Sequence, residues 1–66
     1  MNAVQRGRLW DLAQTAYSTG NERAGERLQS IATGLGSDAV QRCYVAMKDP
    51  TMKDYMIKAV ELLFKR

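Results

Sequence analysis

Hydrophobic residues recur along this chain at intervals of three and four, and strict alternation is hard to find. Such spacing places apolar side chains on one face of a helix rather than on one face of a strand. The pattern is interrupted at residues 19–21, 34–36 and 49–50. The sequence therefore predicts an all-α protein, a compact bundle of four short helices in one domain. The helices are predicted at about residues 3–18, 22–35, 38–48 and 50–65 of a domain spanning residues 1–66.

The residues around these interruptions are of the types that begin and end helices. Asparagine, serine and aspartate side chains accept hydrogen bonds from the first free backbone N–H groups of a helix. Gly20 suits the left-handed position that often follows the last helical residue, and Pro50 suits the first helical position. The predicted caps, in chain order, are Asn2, Asn21, Ser37 or Asp38, and Asp49, with Thr51 and Asp54 as a competing start signal of the capping-box type for the last helix.

The fourth predicted helix carries more hydrophobic residues than one buried face requires. They spread over roughly 200° of the helical wheel at 100° per residue, whereas a helix on the surface of a small protein needs an apolar arc of about 100° or a little more. Either this helix is central to the fold or it packs on a second chain. A chain of 66 residues with one cysteine has no internal disulfide to support a small core, so we expect a homodimer. The residues predicted for self-association are Met52, Met56, Leu63 and Phe64.

Two aromatic residues lie at the edge of the apolar face of the first helix, Trp10 and Tyr17. Exposed aromatic side chains are favoured anchors at protein interfaces. We therefore predict that these two residues form a surface for a protein partner.

The charges indicate a soluble protein without a strongly basic segment. Ten Lys and Arg residues face seven Asp and Glu residues, giving a net charge of +3 that is mixed along the chain. No apolar run has the length of a signal peptide or of a membrane span. A single cysteine fits a reducing compartment. We expect a cytoplasmic protein that makes no contact with a membrane.

The composition removes most catalytic chemistry. The chain has no histidine, which is the commonest general acid or base at neutral pH. Cys43 has no histidine to activate it and falls on a predicted apolar face. One cysteine without histidine supplies too few ligands for a structural zinc ion. We expect no catalytic residue, no metal, no cofactor and no enzymatic activity.

Residues 31–42 resemble the helix-turn-helix segment of bacterial repressors. In that family, the first helix ends with an Ile-Ala pair followed by a Leu-Gly pair. The recognition helix then opens with a serine followed by a Val-x-Arg sequence. The matching residues here are Ile31-Ala32, Leu35-Gly36, Ser37, Val40 and Arg42, with fewer residues before Val40 than in the family. The resemblance implies that Ser37, Gln41 and Arg42 face DNA, where Gln and Arg read base edges well. A nucleic-acid-binding regulator with a degenerate helix-turn-helix around residues 31–47 is the alternative function.

Arg23 and Arg27 are four residues apart and share a helix face. They could bind a small anionic ligand if the fold brought both to one concavity. Otherwise they are solvated residues beside Glu22 and Glu26.

The preferred function follows from size, from the missing catalytic groups and from the excess of hydrophobic residues. We expect a small non-enzymatic accessory or regulatory protein that acts by binding another macromolecule, with a protein as the expected partner. Small free-standing proteins of this kind are common among the products of phages and mobile elements, and we take that origin as a starting expectation.

Overall fold

A computed structural model describes residues 1–34 and 38–64. Within these residues all regular secondary structure is α-helical, which confirms the predicted fold class. The four helices are α1 (Ala3–Ser18), α2 (Glu22–Thr33), α3 (Ala39–Ala46) and α4 (Lys53–Phe64).

The first two helices begin where the caps predict. The Gln5 backbone N–H donates to Asn2 Oδ1 at 2.8 Å, and the Asn2 N–H donates back to Gln5 Oε1 at 2.9 Å. This reciprocal pair satisfies two N–H groups that the helix itself leaves free. Gly20 follows α1 with a φ of 84°, a conformation that glycine adopts without a steric penalty. Asn21 Oδ1 then accepts from the Ala24 N–H at 3.1 Å and caps α2.

The second helix ends earlier than predicted, and the third is shorter. Gly34 has extended backbone angles, so the chain leaves α2 after Thr33. Asp38 precedes α3, but its side chain makes no capping hydrogen bond. Instead, its carboxylate lies 3.9 Å from the Arg42 Nε atom. The alternative cap, Ser37, lies outside the described residues, as does the predicted apolar position Leu35.

The prediction that Asp49 caps a helix beginning at Pro50 is wrong. Residues 47–52 form turns, and α4 begins at Lys53. The Asp49 carboxylate accepts from the Thr51 N–H at 2.9 Å and from the Thr51 hydroxyl at 2.6 Å, while the Met52 N–H donates to the Asp49 carbonyl at 3.0 Å. The Asp49 side chain therefore stabilises a tight turn before the helix, because it accepts its hydrogen bonds from the residue two positions later in the chain.

Each helix packs against the next one along the chain, and α4 also packs against both α1 and α2. Seven of the thirteen buried hydrophobic residues are alanines, so the helices approach closely but each contact removes little apolar area from water. The largest fully buried side chains are Leu9, Leu28, Ile31, Met56 and Cys43. This is a small core, and additional burial against a second surface would strengthen it.

Candidate interaction surfaces

Several large hydrophobic side chains remain exposed on this small particle. Two lie on α1, two on α3 and two on α4. Their exposed fractions are 62% for Val4, 36% for Trp10, 50% for Tyr44, 48% for Val45, 38% for Ile57 and 66% for Phe64. Single exposed hydrophobic residues are ordinary, so their arrangement on the helices decides whether they form a surface.

The two exposed residues of α4 share one side of the helix. On the opposite side, the Tyr55 hydroxyl lies 2.7 Å from Thr19 Oγ1, so Tyr55 faces α1. At 100° per residue, Ile57 and Phe64 lie about 200° and 180° around the helix from Tyr55. They therefore point away from α1.

Two charged residues complete this side of α4. Lys53, Ile57 and Glu61 are spaced four apart, and all three are exposed. Phe64 follows Glu61 by three residues and is exposed beside it. Val60, one turn before Phe64, is half-buried. We call Lys53, Ile57, Glu61 and Phe64 the α4 outer face.

The structure divides the four residues predicted for self-association. Met56 is fully buried and Met52 is 5% exposed, so both side chains already belong to the core of a single chain. Their expected role at a chain–chain contact is corrected to a core role. Leu63 is half-buried against the core, and its carbonyl accepts from Gln5 Nε2 at 2.9 Å. Phe64 alone of the four is exposed. Ile57 was not among the residues predicted for self-association, although its seven-residue spacing from Phe64 places both on one side of a helix.

Trp10 and Tyr17 have different environments. Tyr17 is half-buried, its hydroxyl donates to Gln29 Oε1 at 3.0 Å, and its ring lies over Gly25. These contacts join α1 to α2 and leave little of the ring for a partner. Trp10 is the more exposed of the two, and the predicted partner surface rests on it.

Of the three residues implied by the helix-turn-helix resemblance, the two that the structure describes differ in their exposure. Ser37 lies outside the described residues. Gln41 is exposed, whereas Arg42 is half-buried and its Nη1 donates to the Ser30 carbonyl at 3.4 Å. Arg42 is therefore turned towards α2, and Asp38 at the start of α3 adds a negative charge close to it. This arrangement gives α3 little positive charge to place against a phosphate backbone.

Arg23 and Arg27 do converge on one concavity. An open cleft of about 310 Å³ lies between α2 and the turn before α4, and we call it the arginine cleft. Arg23 Nη2 also forms an ion pair with Asp49 Oδ2 at 3.0 Å. The cleft is lined by Arg23, Glu26, Arg27, Ser30 and Met52.

Cys43 is the single thiol of the chain. Its side chain is fully buried, and burial raises the pKa of the thiol to about 11. A neutral buried thiol behaves as a small hydrophobic group. Among the described residues, no three acidic or cysteine side chains are grouped as a metal site would require.

We found no match to this chain among protein-family models, curated proteins or solved structures. Within the described residues, no helix combines the length and the apolar character needed to span a membrane.

Proposed function

We propose that this chain is a non-enzymatic interaction protein that self-associates through the α4 outer face and binds another protein through a surface that the dimer leaves exposed. The observation that carries the proposal is the exposure of Ile57 and Phe64 on the side of α4 that faces away from α1. Both side chains are large and apolar, and both lie on a regular helix that holds them in fixed positions. Apolar stripes on helices are a common means of recognition between helices.

The charges beside Ile57 favour a second copy of the chain as the occupant of this face. Lys53 lies four residues before Ile57, and Glu61 lies four residues after it. Two α4 helices that pack antiparallel about a two-fold axis at Ile57 bring Lys53 of each copy opposite Glu61 of the other. A two-fold contact must be complementary to itself, and this pattern of charges meets that condition.

The composition of the core supports the same occupant. The buried residues are mostly alanines, and a chain of this length gains modest stability from its own packing. Burying Ile57 against its counterpart, and Phe64 beside the turn that precedes α4 of the other copy, would remove further apolar area from water at about 25 cal/mol per Å². The proposed dimer thus adds to the stability of the fold, and a homodimer of this kind presents two copies of every remaining surface to a further protein partner.

Sedimentation of the wild-type chain over a wide concentration range tests the proposal. The average mass should rise from one chain to two chains. Ile57→Glu and Phe64→Glu should remain monomeric and helical by circular dichroism, because both side chains lie outside the core. Val4→Glu is the matched control, since Val4 is as exposed as Phe64 but lies on α1.

Three outcomes would overturn the proposal. A wild-type chain that stays monomeric at every concentration excludes the second copy as occupant. Equal association of the wild type and both α4 variants places the contact elsewhere. Binding to duplex DNA that falls steeply with salt, measured by fluorescence anisotropy, would replace a protein-binding function with nucleic-acid binding.

A further inference from the structure

The arginine cleft has the features of a site for an anionic group, and it is separate from the α4 outer face. Arg23, Arg27 and Ser30 follow one another at four and three residues along α2, so they share one side of that helix. Met52, in the turn that begins at Asp49, forms part of the lining. The cleft lies at the lower end of the volumes usual for small-molecule sites, about 300–1,000 Å³.

The arginines keep hydrogen-bond donors available in this cleft. A guanidinium group carries five N–H donors in a planar fork. Arg27 is half-buried, yet it makes no ion pair or hydrogen bond to any described side chain. Arg23 uses one nitrogen for Asp49, in a pair whose arginine side chain is 74% exposed, and such exposed pairs add little stability. Both residues can therefore turn donors towards a ligand.

Asp49 pairs with Arg23 from the turn beside the cleft. The Asp49 carboxylate already accepts two hydrogen bonds from Thr51. These bonds, the one from the Thr51 hydroxyl first, hold the pKa of Asp49 below its usual range, with a smaller contribution from Arg23. The carboxylate is bound to Thr51 within the turn, so its exposed pair with Arg23 can open when the Arg23 side chain turns towards a ligand.

We propose that the arginine cleft binds a small phosphate monoester, with its phosphate between Arg23 and Arg27 and within reach of the Ser30 hydroxyl. Arginine forks bind phosphate oxygens with two parallel hydrogen bonds. Glu26 lines the same cleft and adds one negative charge. That charge disfavours a long polyanion and can accept a hydrogen bond from a hydroxyl of the ligand, while Met52 offers an apolar contact.

Titration of the isotope-labelled protein with inorganic phosphate, followed by NMR, tests this proposal. Ionic strength is held constant with chloride. Saturable changes in chemical shift should centre on Arg23, Arg27 and Ser30, and ethyl phosphate should change the shifts of the same residues. Arg27→Gln should raise the dissociation constant for phosphate by about tenfold, because one charged contact to the phosphate is lost. Arg8→Gln is the control, because Arg8 is an exposed arginine on α1.

The results that would contradict the site are distinct from those that bear on self-association. Weak changes in chemical shift that do not saturate and that affect all arginines equally would show that phosphate only screens the surface charges and has no specific site. Equal saturable binding of acetate would make the site one for carboxylates and overturn the phosphate assignment. Displacement of phosphate by duplex DNA at lower concentration would assign the cleft to a nucleic-acid backbone instead. Repeating the titration with the Phe64→Glu variant separates cleft binding from the dimer, since Phe64 does not line the cleft.

Discussion

The Tyr17 ring lies directly over the backbone of Gly25. A Cβ atom added at Gly25 would lie 2.8 Å from ring carbon Cε2 of Tyr17, which is closer than packed carbon atoms approach. The ring is held there by the hydrogen bond from its hydroxyl to Gln29. Gly25 lies in the first turn of α2. At this position the helix gives up the higher propensity of alanine, and the space above the backbone is filled by the Tyr17 ring of α1.

Gly25→Ala should destabilise the protein although alanine is the better helix former. Helix propensity favours alanine by about 1 kcal/mol, but displacing the Tyr17 ring from its packed position costs about 1–3 kcal/mol. Chemical denaturation followed by circular dichroism measures the difference.

The matched control is Gly7→Ala in α1, where an added Cβ meets no atom within 4 Å. This variant should be stabilised by about 0.5–1 kcal/mol. In a Tyr17→Ala background, Gly25→Ala should also become stabilising. If Gly25→Ala stabilises the otherwise wild-type chain as much as Gly7→Ala does, the ring moves freely and the close contact is unimportant.

The buried thiol predicts a loss of stability at alkaline pH. The pKa of Cys43 is about 11 in the folded protein because burial disfavours the thiolate, whereas an unfolded thiol ionises near pH 8.5. As the pH rises from about 9 to 11, ionisation therefore favours the unfolded chain, by up to about 2–3 kcal/mol. Cys43→Ala lacks this contribution, so its free energy of unfolding should fall less over the same range. Parallel pH dependence of the two proteins would show that the thiol is accessible to water.

The turn at Asp49 predicts a loss of stability at acidic pH. The lowered pKa of Asp49 means that the folded protein favours the carboxylate, mainly through the hydrogen bond from the Thr51 hydroxyl. The resulting stability is present above the ordinary aspartate pKa of about 4 and is lost as the pH falls through the lower folded value. Asp49→Asn should therefore melt at a lower temperature than the wild type at neutral pH. The two melting temperatures should converge in acid. A difference in melting temperature that stays the same from neutral to acidic pH would show that the charge of the Asp49 carboxylate adds no stability.

The proposed antiparallel dimer predicts a charge-swap rescue. Lys53→Glu places two negative charges opposite each other at both ends of the contact, and Glu61→Lys places two positive charges there. Each single variant should raise the dimer dissociation constant by about tenfold, since exposed pairs are worth up to about 1 kcal/mol each. The double variant should return to the wild-type value in sedimentation equilibrium. A double variant as weak as either single one would rule out pairing about Ile57.

Local signals predicted much of the architecture. Asn2 and Asn21 cap α1 and α2 because capping depends only on residues three positions away. The apolar spacing of Leu9, Ala13 and Ala16 likewise identified buried positions, since residues three and four apart in a helix share a face whatever surrounds it. The number and type of the helices follow from such short-range rules.

The sequence by itself thus determined four helices and the residues that share each face. Only the tertiary structure decided which faces are covered: Met56 is buried while its neighbour Ile57 is exposed, and Arg42 is turned towards the Ser30 carbonyl instead of outwards. Periodicity groups side chains on a helix, but the positions of neighbouring helices depend on connection lengths and on contacts between distant residues. The arginine cleft also depends on contacts between distant residues, because α2 supplies its arginines and a turn more than twenty residues later supplies its Met52.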